Sequence, residues 1–258
     1  MDLGLSGRVA LVTGGSAGLG LAVARALAAE GARIALNARD PARLEAAVAA
    51  VREKTGAEVR PFPGDVGAAG GGGAILAQVV RTFGRVDVLV ANAGGPPAGA
   101  WDAHDAAAWR HALDLNLLST IDLCRAAVPG MVARKWGRVL AITSFVARQP
   151  APGLILSTTA RAGLLGFLKS LADEVAAAGV TVNALCPGYF LTNRLRQLAS
   201  PKGEPGSTLD TIAAGIPARR IGEPAEFAEV VCFLASDRAG YVTGAAIPVD
   251  GGLARPIG

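Results

Sequence analysis

The chain is short of the residues that most sites use for thiol, metal and acid–base work. Its 258 residues include three cysteines, two histidines and two tyrosines. Cys124, Cys186 and Cys232 are odd in number and far apart, which argues against a disulfide frame and suits buried thiols in a reducing cytoplasm. His104 and His111 lie on an expected helix with no thiol or acidic cluster near them in sequence, so a surface role is expected and no metal site. No apolar run approaches the ~18–20 residues that span a bilayer. The opening Met1-Asp2-Leu3-Gly4-Leu5-Ser6 has no basic stretch followed by an apolar one, so no signal peptide is expected. Arginine-rich tracts with interleaved aromatics are also missing. The net charge of +4 is scattered, and its densest groups are Arg194/Arg196 and Arg219/Arg220. That excludes nucleic acid as the expected partner and leaves solvated loop charge, or contact with an anionic substrate arm.

Apolar residues make up 51% of the chain and charged ones 18%, enough for a sizeable core. Strand-like and helix-like runs alternate. Strands are expected at 8–13, 32–37, 57–62, 86–91, 137–143, 180–186 and 245–249. Helices are expected at 18–30, 41–54, 68–83, 102–134, 154–178 and 224–235. This alternation predicts an α/β fold: a Rossmann-type, doubly wound domain with about seven parallel strands and helices on both faces. No shift in composition marks a boundary, so residues 1–258 are read as one domain. The glycine-rich run from Gly67 to Gly73 predicts a late start for the third helix, since each glycine weakens a helix by about 1 kcal/mol relative to alanine. From Leu191 to Pro217 the pattern dissolves into an expected irregular lid.

The most informative segment is Thr13-Gly14-Gly15-Ser16-Ala17-Gly18-Leu19-Gly20. It follows the apolar run Val9-Ala10-Leu11-Val12 and opens an alanine-rich helix. A strand, a glycine-rich turn and a helix start in that order bind phosphate: the glycines let backbone approach a pyrophosphate, and free helix N–H groups stabilise its charge.

Further motifs follow in order: Asn92-Ala93-Gly94, Leu115-Asn116-Leu117, Thr143-Ser144, Pro187-Gly188 with Thr192, and Tyr241-Val242-Thr243-Gly244 leading to Val249-Asp250-Gly251-Gly252. With the glycine turn they resemble the short-chain dehydrogenase/reductase family, close to its 3-oxoacyl-carrier-protein reductases, over nearly the whole chain. The resemblance implies roles. Gly14, Gly18 and Gly20 shape the pyrophosphate turn, with Leu19 inside it, and Ser16 donates to a phosphate. Asp65 accepts from the adenine amino group with Val66 beside the ring. Asn92, Ala93 and Gly94 line the adenosine side. Pro187, Gly188 and Thr192 hold the nicotinamide carboxamide. At the end of the second strand an acidic residue would bind a ribose 2′-hydroxyl. Here stand the neutral Asn37 and, two residues on, Arg39, whose planar fork pairs with phosphate. That favours NADP(H) over NAD(H), although the alanine at Ala17 occupies a place where many NADP(H) users carry arginine. The resemblance also implies a homotetramer, with a dimer as the alternative. Helices 102–134 and 154–178, the latter with Leu164, Leu165, Leu168 and Leu171, would meet across one axis.

The pattern breaks at the chemistry. In the resembled family a serine fixes the carbonyl and an asparagine positions a water relay. A tyrosine thirteen residues after the serine gives the proton, and a lysine four residues later tunes that tyrosine and binds ribose. Ser144 and Asn116 stand in the first two places, but Ser157 and Arg161 stand in the last two. An aliphatic hydroxyl is a far weaker acid than a phenol of pKa about 10, and losing a positioned general acid costs roughly 10²–10⁴-fold. Arg161 keeps a charge that can bind ribose hydroxyls and favour an oxyanion. Two readings stand side by side. One is an oxidoreductase with an atypical proton route, such as a water held by Ser144, Ser157 and Arg161. The other is a cofactor-binding sensor, subunit or scaffold with little turnover. Read alone, Ser144 caps a strand end as readily, and Asn116 bridges a helix bend. Phe190, Leu191, Leu195 and Leu198 beside Arg194 and Arg196 would suit a small carbonyl or alcohol substrate with an apolar acyl group and an anionic handle.

Overall fold

The structure, a computed structural model, describes residues 2–193, 195, 196 and 209–256. Seven strands form one parallel sheet: β1 Val9–Val12, β2 Arg33–Ala38, β3 Val59–Pro63, β4 Val88–Ala91, β5 Gly137–Ile142, β6 Val180–Pro187 and β7 Ala246–Val249. Their spatial order is β3-β2-β1-β4-β5-β6-β7, so the sheet winds outward in both directions from β1 and β4. The described helices are α1 Gly18–Ala29, α2 Pro41–Thr55, α3 Gly71–Phe83, α4 Ala106–Leu113, α5 Ser119–Ala133, α6 Ile155–Val175, α7 Leu209–Gly215 and α8 Pro224–Ala235. None of the described helices is long and apolar enough to cross a membrane.

The two-residue period of the central strands divides the core. Ala10, Val12, Val88 and Val90 face α1, α2 and α8 and pack with Val23, Leu27, Leu44, Val48 and Phe227. Val9, Leu11 and Leu89 face the other way, onto Ile75 and Val79 of α3, Leu123 and Met131 of α5, and Leu164 and Leu168 of α6. At the amino-terminal end of the sheet, Trp136 lies between the guanidinium groups of Arg8 (3.8 Å to the ring centroid) and Arg138 (4.4 Å). Its Nε1–H donates to Asp237 at 2.8 Å, so this end is a structural lock, opposite the carboxyl ends of the strands.

Local chemistry explains most boundaries. Asp40 caps α2 by accepting from the Arg43 N–H at 3.1 Å, and Gly56 ends that helix with φ 69°. Helix α3 starts late, at Gly71, as its glycines predict, but the reason is packing. A Cβ at Gly72 would lie 3.0 Å from Asp122 Oδ2 and 3.1 Å from the Leu123 nitrogen of α5. The Asp122 carboxylate accepts the Gly73 N–H at 2.9 Å and caps α3 from a neighbouring helix. The single helix expected over 102–134 is corrected to α4, a π-helical turn at Asp114–Leu118, and α5. It begins late because Asp105 caps it, accepting from the Ala108 N–H at 2.8 Å. His104 therefore precedes the helix. The irregular stretch expected over 191–217 is corrected too, because Leu209–Gly215 is helical, with Asp210 in its first turn and Ile212-Ala213-Ala214 as its body. The remainder of that lid, with Arg194, Leu198 and the turn-forming Pro201, Gly203, Pro205 and Gly206, lies outside the described residues.

Phe227 is wholly buried and meets Phe190 edge-on, with centroids 5.4 Å apart. It joins α8 to the segment beyond β6. Phe227→Ala is expected to cost about 3–5 kcal/mol, read as a lowered urea midpoint at unchanged slope.

Candidate dinucleotide site

The crevice lies at the carboxyl ends of β1 and β4, where the winding direction reverses. Thr13 Oγ1 donates to the Asn92 carbonyl and accepts the Asn92 N–H, both at 2.8 Å, and Asn92 Nδ2 donates to the Gly14 carbonyl at 3.2 Å. This clasp joins the two strand ends. Gly14 and Gly18 have φ of 57° and 56°, a region that favours glycine. A Cβ at Gly20 would lie 2.4 Å from the Gly14 carbonyl oxygen, so the turn folds directly onto the start of α1. The N-cap of α1 is Ala17, which has no side-chain acceptor for the first helical N–H groups. Leu19 turns its side chain to the core and serves the turn only through its backbone.

Beside this turn opens a cleft of about 520 Å³. Gly14 and Ser16 form one wall, Asn37, Ala38 and Arg39 a second, and Gly64, Asp65 and Val66 a third. Asn92, Ala93, Gly94 and Leu115 close it. The sequence thus brings its adenosine-side candidates together. Ala38, Gly64 and Leu115 were missed, although Gly64 sits in the turn before Asp65 and Leu115 is the neighbour of Asn116. Asn37 is turned away from the role expected of it. It is buried, and its amide donates to the carbonyls of Phe62 (2.8 Å) and Gly64 (3.1 Å), tying β2 to the end of β3. Arg39 stands at the mouth, 67% exposed, with Nη1 3.9 Å from Asp65 Oδ2. Asp65 Oδ1 accepts the Gly67 N–H at 2.9 Å.

The chemical end lies over β5 and β6. Asn116 sits in the π-helical turn, a distortion found often at functional sites. Its Nδ2 donates to the Gly94 carbonyl at 2.8 Å, while Oδ1 is buried without a partner among the described residues. Such an acceptor suits a water or ligand donor. Ser144 Oγ accepts the Val146 N–H at 3.3 Å and caps the short 3-10 turn Phe145–Ala147. Ser157 and Arg161 are buried on α6. Arg161 Nε donates to Ser157 Oγ at 3.2 Å, and Nη1 donates to the carbonyls of Ile142 (3.1 Å) and Thr143 (2.6 Å). The guanidinium thus ties α6 to the end of β5. Gly188 packs where a Cβ would lie 2.7 Å from Asp250 Cβ. Thr192 Oγ1 accepts the Leu195 N–H at 3.3 Å, and its methyl group lies 3.5 Å from where a Cβ on Gly18 would stand. The expected apolar lid is reduced, because Phe190 and Leu195 are buried and Leu191 is half-buried.

The sequence profile of the family described as enoyl-(acyl carrier protein) reductase matches residues 14–254. The chain belongs to the short-chain dehydrogenase/reductase family. It is 37% identical to nodulation protein G of Rhizobium sp. over 97% of this chain and 98% of that one. It is 35% identical to a 3-oxoacyl-[acyl-carrier-protein] reductase of Escherichia coli, over 97% and 99%. Among solved structures it is similar to L-sorbose reductase of Gluconobacter frateurii in complex with NADPH and L-sorbose. That likeness has a TM-score of 0.95 and 36% identity and covers all of both chains.

In this short-chain dehydrogenase/reductase the three cysteines are buried, and burial pushes the thiols of Cys124 and Cys232 up to about 12. Burial also raises Cys186, which lies 3.2 Å from Thr143 Oγ1. No cluster of metal-ligating side chains occurs among the described residues. Near the end of β7, Arg220 holds Glu226 in a two-bonded pair at 2.7 and 2.6 Å. The Glu223 N–H adds a third bond at 2.8 Å and completes the capping box of α8. The Arg220 hydrogen bond, more than the backbone one, draws Glu226 down to about 2 from the ordinary 4.5. A lowered carboxylate contributes stability that is whole above its unfolded pKa and is lost as pH falls through the folded one. The stability difference between the native protein and Glu226→Gln should therefore be full at neutral pH, decline below about 4.5 and vanish near 2. Paired denaturant titrations across that range check it.

Proposed function

We propose that this protein is an NADP(H)-dependent oxidoreductase acting on a small carbonyl or alcohol substrate, of which 3-oxoacyl compounds are one class. It takes its proton by a route other than a phenol at position 157. The observation that carries the cofactor reading is the cleft itself. The glycine turn presents α1 N–H groups without a side-chain cap, and Arg39, paired with Asp65 at 3.9 Å, stands largely exposed at the mouth, so a pyrophosphate and a 2′-phosphate each meet suitable donors. Ser16 would hold phosphate, Asp65 and Val66 the adenine, and Pro187, Gly188 and Thr192 the carboxamide. The bound cofactor supplies hydride chemistry at its nicotinamide. Ser144 would fix the carbonyl, and Asn116 would hold a donor at Oδ1. L-sorbose reductase, bound to NADPH, supports the same cofactor and a carbonyl substrate. Ser157 and Arg161 stand at the two positions where the resembled pattern sets a tyrosine and a lysine. The assembly we propose is a homotetramer, with a dimer as the alternative, in the cytoplasm and without nucleic-acid or membrane partners. Leu118 (49% exposed, beside α5) and Phe233 (44%, on α8) support two such helical interfaces.

One observation favours the second reading, a cofactor-binding protein with little turnover that serves as a sensor, subunit or scaffold. The Arg161 guanidinium is engaged with two strand carbonyls and with Ser157, which suits bracing as well as ribose binding.

Arg39→Ala is expected to weaken NADPH binding about tenfold, the loss of one charge-assisted contact, and to leave NADH binding nearly unchanged. Fluorescence titration with both cofactors measures this. Oxidation of NADPH over a ketone panel, abolished by Ser144→Ala, supports the enzyme reading. Tight NADPH binding with oxidation only after Ser157→Tyr/Arg161→Lys establishes the second reading instead.

A further inference from the structure

We propose that Tyr189 is the phenol of this site and gives the substrate carbonyl its proton, an inference that rests on the enzyme reading above. The chain has two tyrosines. Tyr241 is fully exposed and precedes β7, at the amino-terminal end of the sheet and away from the cleft. Tyr189 lies at the carboxyl edge, two residues beyond the end of β6. The β5–β6 register pairs Ile142 with Leu185, and its continuation sets Ser144 level with Pro187. Tyr189 is therefore one strand over from Ser144 and immediately follows the Pro187-Gly188 turn.

Side-chain packing agrees with that register. The Tyr189 ring lies 5.6 Å from the ring of Phe145, the residue after Ser144. The segment Phe145–Ala147 packs against α6, the helix of Ser157. Phe145 is buried and Tyr189 half-buried, so the Tyr189 ring is held on one side and partly open to solvent. Tyr189 also borders an open cleft lined by Phe190, Gly222, Asp250 and Gly251. The neighbouring Phe190 meets Phe227 edge-on.

The chemistry balances. The carbonyl carbon takes a hydride from the reduced nicotinamide and forms a C–H bond. The carbonyl π bond breaks toward oxygen, and oxygen takes the phenolic proton of Tyr189. The phenolate recovers a proton from water. Alcohol oxidation runs the same steps in reverse. Ser157 is too short and too weakly acidic for this transfer, and Arg161 is engaged at the strand end.

The test compares Tyr189→Phe in two backgrounds. In the native chain it should lower kcat over the ketone panel by about 100-fold or more while NADPH affinity stays within about twofold. In the Ser157→Tyr/Arg161→Lys background the same change should cost less than about threefold, because a phenol at position 157 takes over. An equal loss in both backgrounds means that the ring only supports the fold near Phe145, and it overturns the proposal, as does an unchanged native kcat. A second readout needs no turnover. Tetranitromethane should nitrate both tyrosines of the cofactor-free protein, and saturating NADP+ should slow nitration at Tyr189 but not at Tyr241. Nitration at Tyr189 that ignores NADP+ overturns the placement. A native chain that binds NADPH but reduces no ketone defeats the enzyme reading and this inference together. Native turnover indifferent to Tyr189→Phe defeats this inference alone.

Discussion

The carboxyl edge of the sheet depends on one close approach, the Gly14 carbonyl against the backbone of Gly20. A Cβ at Gly20 would stand 2.4 Å from that oxygen, a separation real side chains do not reach. The approach is held from the other side by Asn92, which donates to the same carbonyl while its backbone exchanges two bonds with Thr13. Strand β1, the turn, helix α1 and the end of β4 are thereby set in one geometry. The first N–H groups of α1 then meet no capping side chain at Ala17, beside a cleft walled by Gly14 and Ser16.

At the chemical end a similar economy has a different result. Arg161 reaches back to the carbonyls of Ile142, which closes strand β5, and of Thr143, the next residue. A lysine has three donors on one point, whereas the arginine fork satisfies Ser157 and two carbonyls at fixed spacing. Its buried charge is compensated by oxygens that are otherwise short of donors at a strand end. The arrangement stabilises the junction of α6 and β5, and it places the charge against backbone. Ser157 accepts from the same guanidinium, so its oxygen lies in the same polar patch. Ser157 and Arg161 thus act as one structural unit.

Much of this was legible in the residues. Apolar runs at regular spacing gave seven strands because parallel strands covered on both faces are mostly apolar, and β5 and β6 are buried along their whole length. The glycine turn, Asp40 and the cleft-lining Asp65 and Arg39 were legible because turn and cap chemistry is local. What the sequence hid was non-local. Nothing near Asn37 shows that its amide is claimed by β3 carbonyls twenty-five residues away. Asp122 capping α3 across the helix pair is equally invisible, and so is the inward turn of Phe190 onto Phe227. The π-helical turn escaped because no residue type marks it; its consequence, a buried acceptor at Asn116 Oδ1, exists only in three dimensions.

The two ends of the site obey different rules, and this decides how they can change independently. Cofactor recognition runs largely through backbone: N–H groups at a helix start, carbonyls, and glycines that let chains approach. Proton delivery runs through one side chain with a particular acidity at a particular point, and a single replacement removes it. A sheet edge, however, offers more than one point near the same carbonyl. Ser144, just beyond β5, and the segment after Gly188, just beyond β6, are neighbours by continuation of the β5–β6 register. A phenol on the segment after β6 would therefore stand near Ser144 without disturbing the glycine turn, provided its ring has a partner to fix it. Phe145 is such a partner, buried, one residue beyond the serine, and in contact with Tyr189.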